Sequence, residues 1–431
     1  MTEKISVEDS TFLELKNFYD NTLNKDRTTY QSSNDEPTPI DCISEMIDKL
    51  PETFWIRKTL SIYDPCCGNG NFFIPIFFKL KKYHEKKQIL SKMLFFNDIN
   101  EKRLDNVSEI FCGNKYKLQL TNHCFLTFKN ENKNDLIVAN PPYAKILENG
   151  KRASKNHNLI KEFIETALSQ LKPNGFLLFI TPDNWMSLAD RNKLIEIITS
   201  LQIVHLDIHN AKQYFKKIGS SFTWFLIKNC PFYENINISG IWKKQIYTDS
   251  VKPQQRKYIP LLYNQIVQDI LLKTIDNKDL SKFLIETSSD LHKYTKADLL
   301  NNEKTEKFPY KIIHTPKQTV YSSRPHKYQE GYKVFLSTTD KYKIFIDDCG
   351  MTQSIAFIRC SNLEQASYFK KILEHPLYIF INNICRWGNF NNIRILQSFP
   401  VPDIKYSGNR QEIYNYFHID KKEIDFIEKN L

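Results

Sequence analysis

Asp135-Leu136-Ile137-Val138-Ala139-Asn140-Pro141-Pro142-Tyr143 is the stretch on which the reading of this chain turns. The apolar run Leu136 to Ala139 has the length and composition of a strand buried on both faces, as in a parallel sheet. It stops abruptly at Asn140-Pro141-Pro142-Tyr143. Two prolines remove two backbone donors and hold φ near about −65°, so the chain leaves the sheet extended and stiff. Open α/β sheets keep their ligands at the carboxyl ends of their strands. A loop placed there offers an amide side chain, a backbone carbonyl and an aromatic face. Those parts suit a planar substrate that carries an amino group: the amide oxygen and the carbonyl accept its two N–H bonds, and the ring stacks on it. Taken alone, the four residues also fit a proline-terminated strand with a surface tyrosine. The segments on either side decide between the two.

Upstream, residues 1–29 have helical spacing in Phe12, Leu13, Leu15, Phe18 and Tyr19, and residues 31–36 are polar loop. Pro37-Thr38-Pro39 then opens a helix whose apolar side is Ile40, Cys42, Ile43, Met46, Ile47 and Leu50. Thr38 is placed as its N-cap with Pro39 at the first helical position, or as a hydroxyl facing an anionic ligand group at the helix start. Leu60 to Tyr63 is a short strand. It runs into Asp64-Pro65-Cys66-Cys67-Gly68-Asn69-Gly70-Asn71 and then an apolar helix from Phe72 to Leu80, where Pro75 is tolerable only in the first turn. Strand, glycine turn and helix form the first βα unit of a nucleotide-type fold, and glycine lets backbone approach a ligand closely. The spacing is neither G-x-G-x-x-G nor a Gly-Lys-Ser/Thr loop, so neither a dinucleotide nor a triphosphate is the first expectation. Met93 to Phe96 is the second strand. Asp98, just beyond it, either takes both ribose hydroxyls of a nucleoside or caps the helix that starts near Glu101. His123 to Leu126 is read as a third strand.

Downstream, Lys145 to His157 is a polar basic loop and Leu159 to Leu171 an amphipathic helix. Lys172 to Gly175 is a turn, Phe176 to Thr181 a fifth strand, Ser187 to Ser200 a helix, and Ile203 to Ile208 and Phe222 to Ile227 two more strands. This alternation predicts a doubly wound, mainly parallel sheet. The pattern changes near Cys230, which puts the domain boundary at 1–230 and 231–431. Beyond a helix at 261–275, bases and aromatics interleave at Tyr310, Lys311, His314, Lys317, Tyr321, Arg324, His326, Lys327 and Tyr328, with Glu330 as the local acid. Residues 381–400 contain no acid and present Arg386, Trp387, Phe390 and Arg394. Such patches suit a phosphate backbone with stacking or wedging side chains, or else a solvated basic face over a core. Residues 421–431 read as a charged helical end.

A length of 431 residues fits two domains, and a formal net charge of +11 fits an anionic partner without naming it. Nine cysteines with no C-x-x-C pair or metal spacing suggest free thiols in a reducing, cytoplasmic compartment, with no bound metal. The polar amino terminus does not read as a signal peptide, and no apolar run approaches about 18 residues, so no membrane span is expected. With only 11 glycines in the chain, the two in the turn after the first strand carry more information.

Thr38-Pro39, Asp64-Pro65-Cys66-Cys67-Gly68-Asn69-Gly70, Asp98 and Asn140-Pro141-Pro142-Tyr143 stand in the order found in N6-adenine DNA methyltransferases. The chain resembles their gamma arrangement, in which cofactor motifs come first, the catalytic loop next and a target-recognition domain last. The likeness covers about residues 30–230. It continues more loosely through Gly350 to Asn391 and Phe399-Pro400-Val401-Pro402. It implies a Rossmann-like fold of the S-adenosylmethionine-dependent methyltransferase type with a C-terminal α+β target-recognition domain. It also implies S-adenosylmethionine as cofactor, double-stranded DNA as partner and a bacterial, archaeal or viral restriction-modification setting, with any restriction endonuclease encoded separately. By family position, Asp64, Cys66, Gly68 and Gly70 lie under the methionine part, Thr38 near its carboxylate, and Asp98 on the ribose. Phe125 and Phe163 sandwich the cofactor adenine, and Phe215 contacts a flipped target base with Tyr143. Lys317, Arg324, Lys327, Arg386 and Arg394 are the DNA-binding candidates.

Two departures stand out. Cys66-Cys67-Gly68-Asn69-Gly70 replaces the family's usual Ala-Cys-Gly-Ser-Gly, a tolerable change. Cys124 replaces the acid that bonds the cofactor's adenine amino group, which puts that contact in doubt. The same loop also serves methylation of RNA adenine, of a protein glutamine amide or, with Ser more usual at the position of Asn140, of cytosine N4. A catalytically inactive DNA-binding module is the reading from another class.

Overall fold

The computed structural model describes residues 5–26, 28, 36–128, 133–143, 159–188, 193–215, 221–339, 341–388 and 390–431. The basic loop expected at 145–157 lies outside them. The chain forms two compact units, Met1–Asp183 with Asn192–Arg256, and Asn184–Arg191 with Lys257–Leu431.

The first unit is built on a nine-stranded sheet. Its strands are β1 (Ile62–Asp64), β2 (Leu94–Asn97), β3 (Gln119–Thr121), β4 (Asn134–Ala139), β5 (Leu171–Pro182), β6 (Leu201–Ile208), β7 (Phe222–Pro231), β8 (Ile236–Trp242) and β9 (Gln245–Val251). Their order is β3-β2-β1-β4-β5-β7-β6-β8-β9. The first five are mutually parallel; β7 runs against both β5 and β6, and β9 against β8. The sheet reverses its winding between β1 and β4, the place where α/β sheets bind ligands. All six residues of β4 are buried, as its apolar run requires.

Helices Phe12–Asn21, Ile40–Ile47 and Phe73–Leu80 contribute Leu15, Tyr19, Ile43, Met46, Phe73 and Phe77 to one core with Leu136, Val138, Leu178 and Trp224. Pro75 is the third residue of its helix, in the first turn as its missing N–H demands.

Several boundaries differ from expectation. The third strand is Gln119–Thr121. Residues 123–126 instead form a turn in which Thr127 and Phe128 donate backbone N–H bonds to the Cys124 carbonyl. Lys172 to Gly175 does not end the chain's path in a separate turn. It lies inside β5 as an irregularity of the β4–β5 register, with Asn174 at φ 61°. Of the helix expected at 187–200, the segment Leu194–Ile198 is helical. The sheet also continues past residue 230: β8 pairs in parallel with β6, so the first unit runs to Arg256 and the boundary lies 26 residues later than the composition suggested.

The second unit is α+β. One four-stranded sheet has the order Glu286–Thr287, Ile355–Arg359, Lys333–Ser337, Ile344–Asp347. The other has the order Leu300–Asn301, Gln318–Ser322, Tyr310–Thr315, Gly350–Met351. Helices Gln265–Lys273, Leu363–Leu373, Pro376–Ile384, Arg410–Tyr416 and Lys421–Asn430 complete it.

Candidate functional site at the carboxyl ends of β1, β2 and β4

The turn after β1 is held in shape by its neighbours. Gly68 and Gly70 have φ of +55° and +82°, a region that L side chains rarely adopt. A Cβ on Gly70 would also stand 2.9 Å from the Phe111 ring. Asp98 accepts the Gly68 N–H at 2.9 Å and the Asn100 N–H at 2.8 Å, tying the end of β2 to the glycine turn. Tyr19, fully buried, donates its hydroxyl to the Asn69 carbonyl at 2.7 Å. Asp64 accepts the Cys66 N–H at 3.0 Å. Burial, reinforced by the nearby Asp98 carboxylate, raises the Asp64 pKa well above the usual carboxylate range. Asn97 donates to the carbonyls of Pro65 and His123 at 2.8 and 2.9 Å, stitching the first turn to the segment that carries Phe125.

The Asn-Pro-Pro-Tyr loop reaches the same region. Asn140 Nδ2 donates to the Glu36 carbonyl at 2.9 Å and to Thr38 Oγ1 at 3.0 Å. Both amide hydrogens are thereby committed, and Oδ1 is left as the acceptor. The Tyr143 hydroxyl lies within hydrogen-bond reach of both Asn140 Oδ1 and the Ile180 carbonyl, and burial raises its pKa. Thr38 is not an N-cap: the helix begins at Ile40, Pro39 occupies the capping position, and the Thr38 hydroxyl serves Asn140. The Thr38 carbonyl in turn accepts Asn71 Nδ2 at 2.9 Å, which joins the two loops.

The aromatic candidates sit deeper than a contact role alone requires. Phe125 and Phe163 face each other nearly parallel, with centroids 5.9 Å apart and an interplanar angle of 13°. A third ring between them needs about 7 Å, two contact distances of about 3.5 Å, so in this conformation the pair is closed. Phe215 is 3% exposed and stacks on Phe222 at 4.6 Å. The turn bearing it is pinned by Asp207, which accepts the Ala211 N–H at 3.0 Å; burial pushes the Asp207 carboxyl up to about 8. Cys124 is exposed.

Residues 44–215 match the model of the Eco57I restriction-modification methylase family. That segment is similar to the methylases of restriction-modification systems. The chain is 24% identical over 223 residues to the type II methyltransferase M.VspI of Vibrio sp. (strain 343), covering 48% of this chain and 52% of that one. It is 24% identical over 224 residues to M.HincII of Haemophilus influenzae, covering 48% and 39%. The chain thus spans about half the length, or less, of the curated relatives it matches. In fold it is similar to the type IIL restriction-modification enzyme MmeI in complex with DNA, at a TM-score of 0.53 and 10% identity over 96% of this chain and 70% of that chain.

The residues present fit S-adenosylmethionine as the cofactor. Asp64 and Asp98, both acceptors, lie beside a glycine turn that carries no lysine, a set suited to a hydroxylated molecule and ill suited to a pyrophosphate. Tyr19, Asn71 and Asn97 support this site and escape a motif search because each acts through backbone distant in sequence. The signals that could have found them are a tyrosine on an apolar helix face, a polar residue directly after Gly70 and one closing the apolar strand β2.

Asp98→Ala is expected to weaken S-adenosylmethionine binding in calorimetry. It also removes two hydrogen bonds to a charged acceptor, worth roughly 1.5–3 kcal/mol each, so thermal unfolding should fall while the protein still folds. Affinity unchanged from wild type would remove Asp98 from the site.

In the second unit the basic candidates separate into two kinds. Arg324 is paired with Asp290, at 2.8 Å from Nη2 to Oδ1, and Asp290 also accepts the Lys327 N–H at 2.8 Å. Arg324 holds that carboxyl down at about 2. The acid that pairs with Arg324 comes from 34 residues upstream rather than from the local Glu330. His314 and His326 are buried, which pushes each down to about 4, so they carry no charge at neutral pH. Lys317, Lys327 and Arg394 are exposed, and Arg386 is half-buried. Lys327 Nζ lies 4.7 Å from the Tyr328 ring centroid, and Arg394 Nη1 donates to the Leu188 carbonyl at 3.2 Å. Among the described residues no helix is long and apolar enough to cross a membrane, and no group of three or more His, Cys, Asp or Glu could hold a metal ion.

Proposed function

We propose that this chain methylates the exocyclic N6 of a flipped-out adenine in double-stranded DNA. The observation that carries the reading is the fixed amide of Asn140. Its two hydrogens are spent on Glu36 and Thr38, which leaves Oδ1, now facing the Tyr143 hydroxyl, as the atom to accept from a substrate amine. A target base inside a duplex must swing out to reach it. Asn140 Oδ1 and the Pro141 carbonyl then accept the two N–H bonds of the amine, drawing the nitrogen lone pair out of the ring's conjugation. Dipoles fixed in advance stabilise the positive charge that grows on nitrogen. S-adenosylmethionine supplies the electrophilic methyl group, and alignment for in-line displacement lowers the barrier further. Tyr143 provides the stacking face. Asp98, Asp64 and the glycine turn would hold the cofactor, with Phe125 and Phe163 as the aromatic residues beside its adenine.

The second unit is assigned to target recognition, with Lys317, Lys327, Arg386 and Arg394 on phosphates and Arg324 as an internal brace. A restriction endonuclease acting at the same sequence would be a separate protein. The test is single-turnover transfer of labelled methyl from S-adenosylmethionine to duplex DNA, followed by nucleoside analysis. N6-methyladenine is expected. Methylcytosine, or transfer confined to RNA or protein, would overturn the reading.

A further inference from the structure

The β8–β9 hairpin turns in two residues, Lys243-Lys244, between the paired Trp242 and Gln245. Both lysines have positive φ, 48° and 68°. A two-residue hairpin turn of this kind asks for left-handed backbone at both positions, and Asn-Gly is its usual solution. A lysine Cβ is crowded there. Both side chains are exposed, so no core packing offsets that cost, and their neighbours Ile241, Trp242, Gln245 and Ile246 are uncharged. Backbone strain kept at an exposed position points to a role for the side chains that hold it.

The topology says where that role is exercised. β8 is parallel to β6; β6 and β5 both run against β7; and β5 is parallel to β4. The carboxyl end of β8 therefore lies on the same edge of the sheet as Asn140. Four strand spacings of about 4.8 Å separate β4 from β8, which sets the lysine pair roughly 19 Å along that edge from the catalytic loop. Lys212, in the short helix Asn210–Gln213 that follows β6, lies on this edge between them. A helical turn of B-DNA is about 34–36 Å, so a duplex laid along the edge with its flipped base at Asn140 passes the hairpin about half a turn away.

We propose that the Lys243-Lys244 tip is a phosphate-binding element that grips the duplex flank beside the target base. This rests on DNA being the substrate. The pair fixes position on the backbone and reads no sequence, as phosphate contacts do.

The deciding variant is Lys243→Asn with Lys244→Gly, which gives the turn its preferred residues and removes both charges. Its folding and its DNA binding should move in opposite directions. Thermal unfolding should occur at the same or a higher temperature, and S-adenosylmethionine affinity should be unchanged. Binding to a mixed-sequence synthetic duplex should weaken uniformly across sequences, and the log–log salt slope should become shallower by about two. Lys243→Arg with Lys244→Arg should keep the wild-type slope. A steep wild-type slope left unchanged in the Asn-Gly variant would overturn the hairpin assignment alone. Loss in both variants would place the effect in turn conformation rather than charge, and would overturn it too. Wild-type protein with a flat salt dependence would remove the assignment together with the DNA reading.

Discussion

Alanine at Asn140 is expected to lower single-turnover methyl transfer by about 10²–10³-fold, by analogy with the loss of one preorganised donor from an oxyanion hole, while S-adenosylmethionine binding stays largely intact. The separation follows from geometry. Asn140 touches Glu36, Thr38 and Tyr143, whereas the glycine turn is braced by Asp98 and Tyr19. The side chain's contribution to chemistry is an oxygen that meets positive charge only as it forms on the attacking nitrogen, so its loss should appear in the chemical step and little in ground-state affinity. Because Asn140 Nδ2 also satisfies two oxygens of the 36–38 segment, alanine leaves Thr38 without that donor. Asn140→Asp is the informative companion. It keeps an acceptor but cannot donate to the Glu36 carbonyl or Thr38 Oγ1, so its carboxylate should sit displaced and transfer should again fall. Near-normal turnover in Asn140→Ala would mean that the amide is not the acceptor and that the mechanism is wrong.

How much of this was legible in the chain depended on whether local sequence or distant partners decide each feature. β4 was readable because Leu136 to Ala139 is apolar without interruption and two prolines mark its end. The βα unit at Asp64–Leu80 was readable because Gly68 and Gly70 sit where the backbone needs positive φ. β3 was misplaced because Gln119-Leu120-Thr121 is a half-buried edge strand with little apolar signal, whereas His123 to Leu126 merely looks apolar. The hairpin Ile236–Val251 was taken for the start of another domain because Lys243-Lys244 gives no turn signal where Asn-Gly would have given one. Thr38 had the composition of a cap, yet its hydroxyl is used by a residue 102 positions away. Arg324 looked like a free base because Asp290 is distant in sequence. Such pairings depend on tertiary approach, which periodicity does not encode. Phe125, Phe163 and Phe215 were placed by family position, and burial gives each a packing role as well.

Tyr143 is where packing and proposed chemistry meet most directly, and its two substitutions are expected to diverge. A phenol has one proton, so it donates to Asn140 Oδ1 or to the Ile180 carbonyl and not to both at once. In either arrangement the hydroxyl occupies the surroundings of the acceptor that a target amine needs, and the incoming base must displace it. Tyr143→Phe removes that competitor and keeps the ring. Transfer should stay within several-fold of wild type, with flipping no less favourable. Tyr143→Ala removes the ring. Stacking of a base on an aromatic side chain is worth about 1–3 kcal/mol, so the flipped state should be less populated by roughly 5- to 150-fold. A duplex with 2-aminopurine at the target position reports this directly, since its fluorescence rises when the base leaves the stack. With saturating cofactor, Tyr143→Phe should retain the fluorescence increase and Tyr143→Ala should lose most of it. Equal losses in the two variants would assign the role to the hydroxyl and its bond to Asn140, and would reject the ring as a stacking platform.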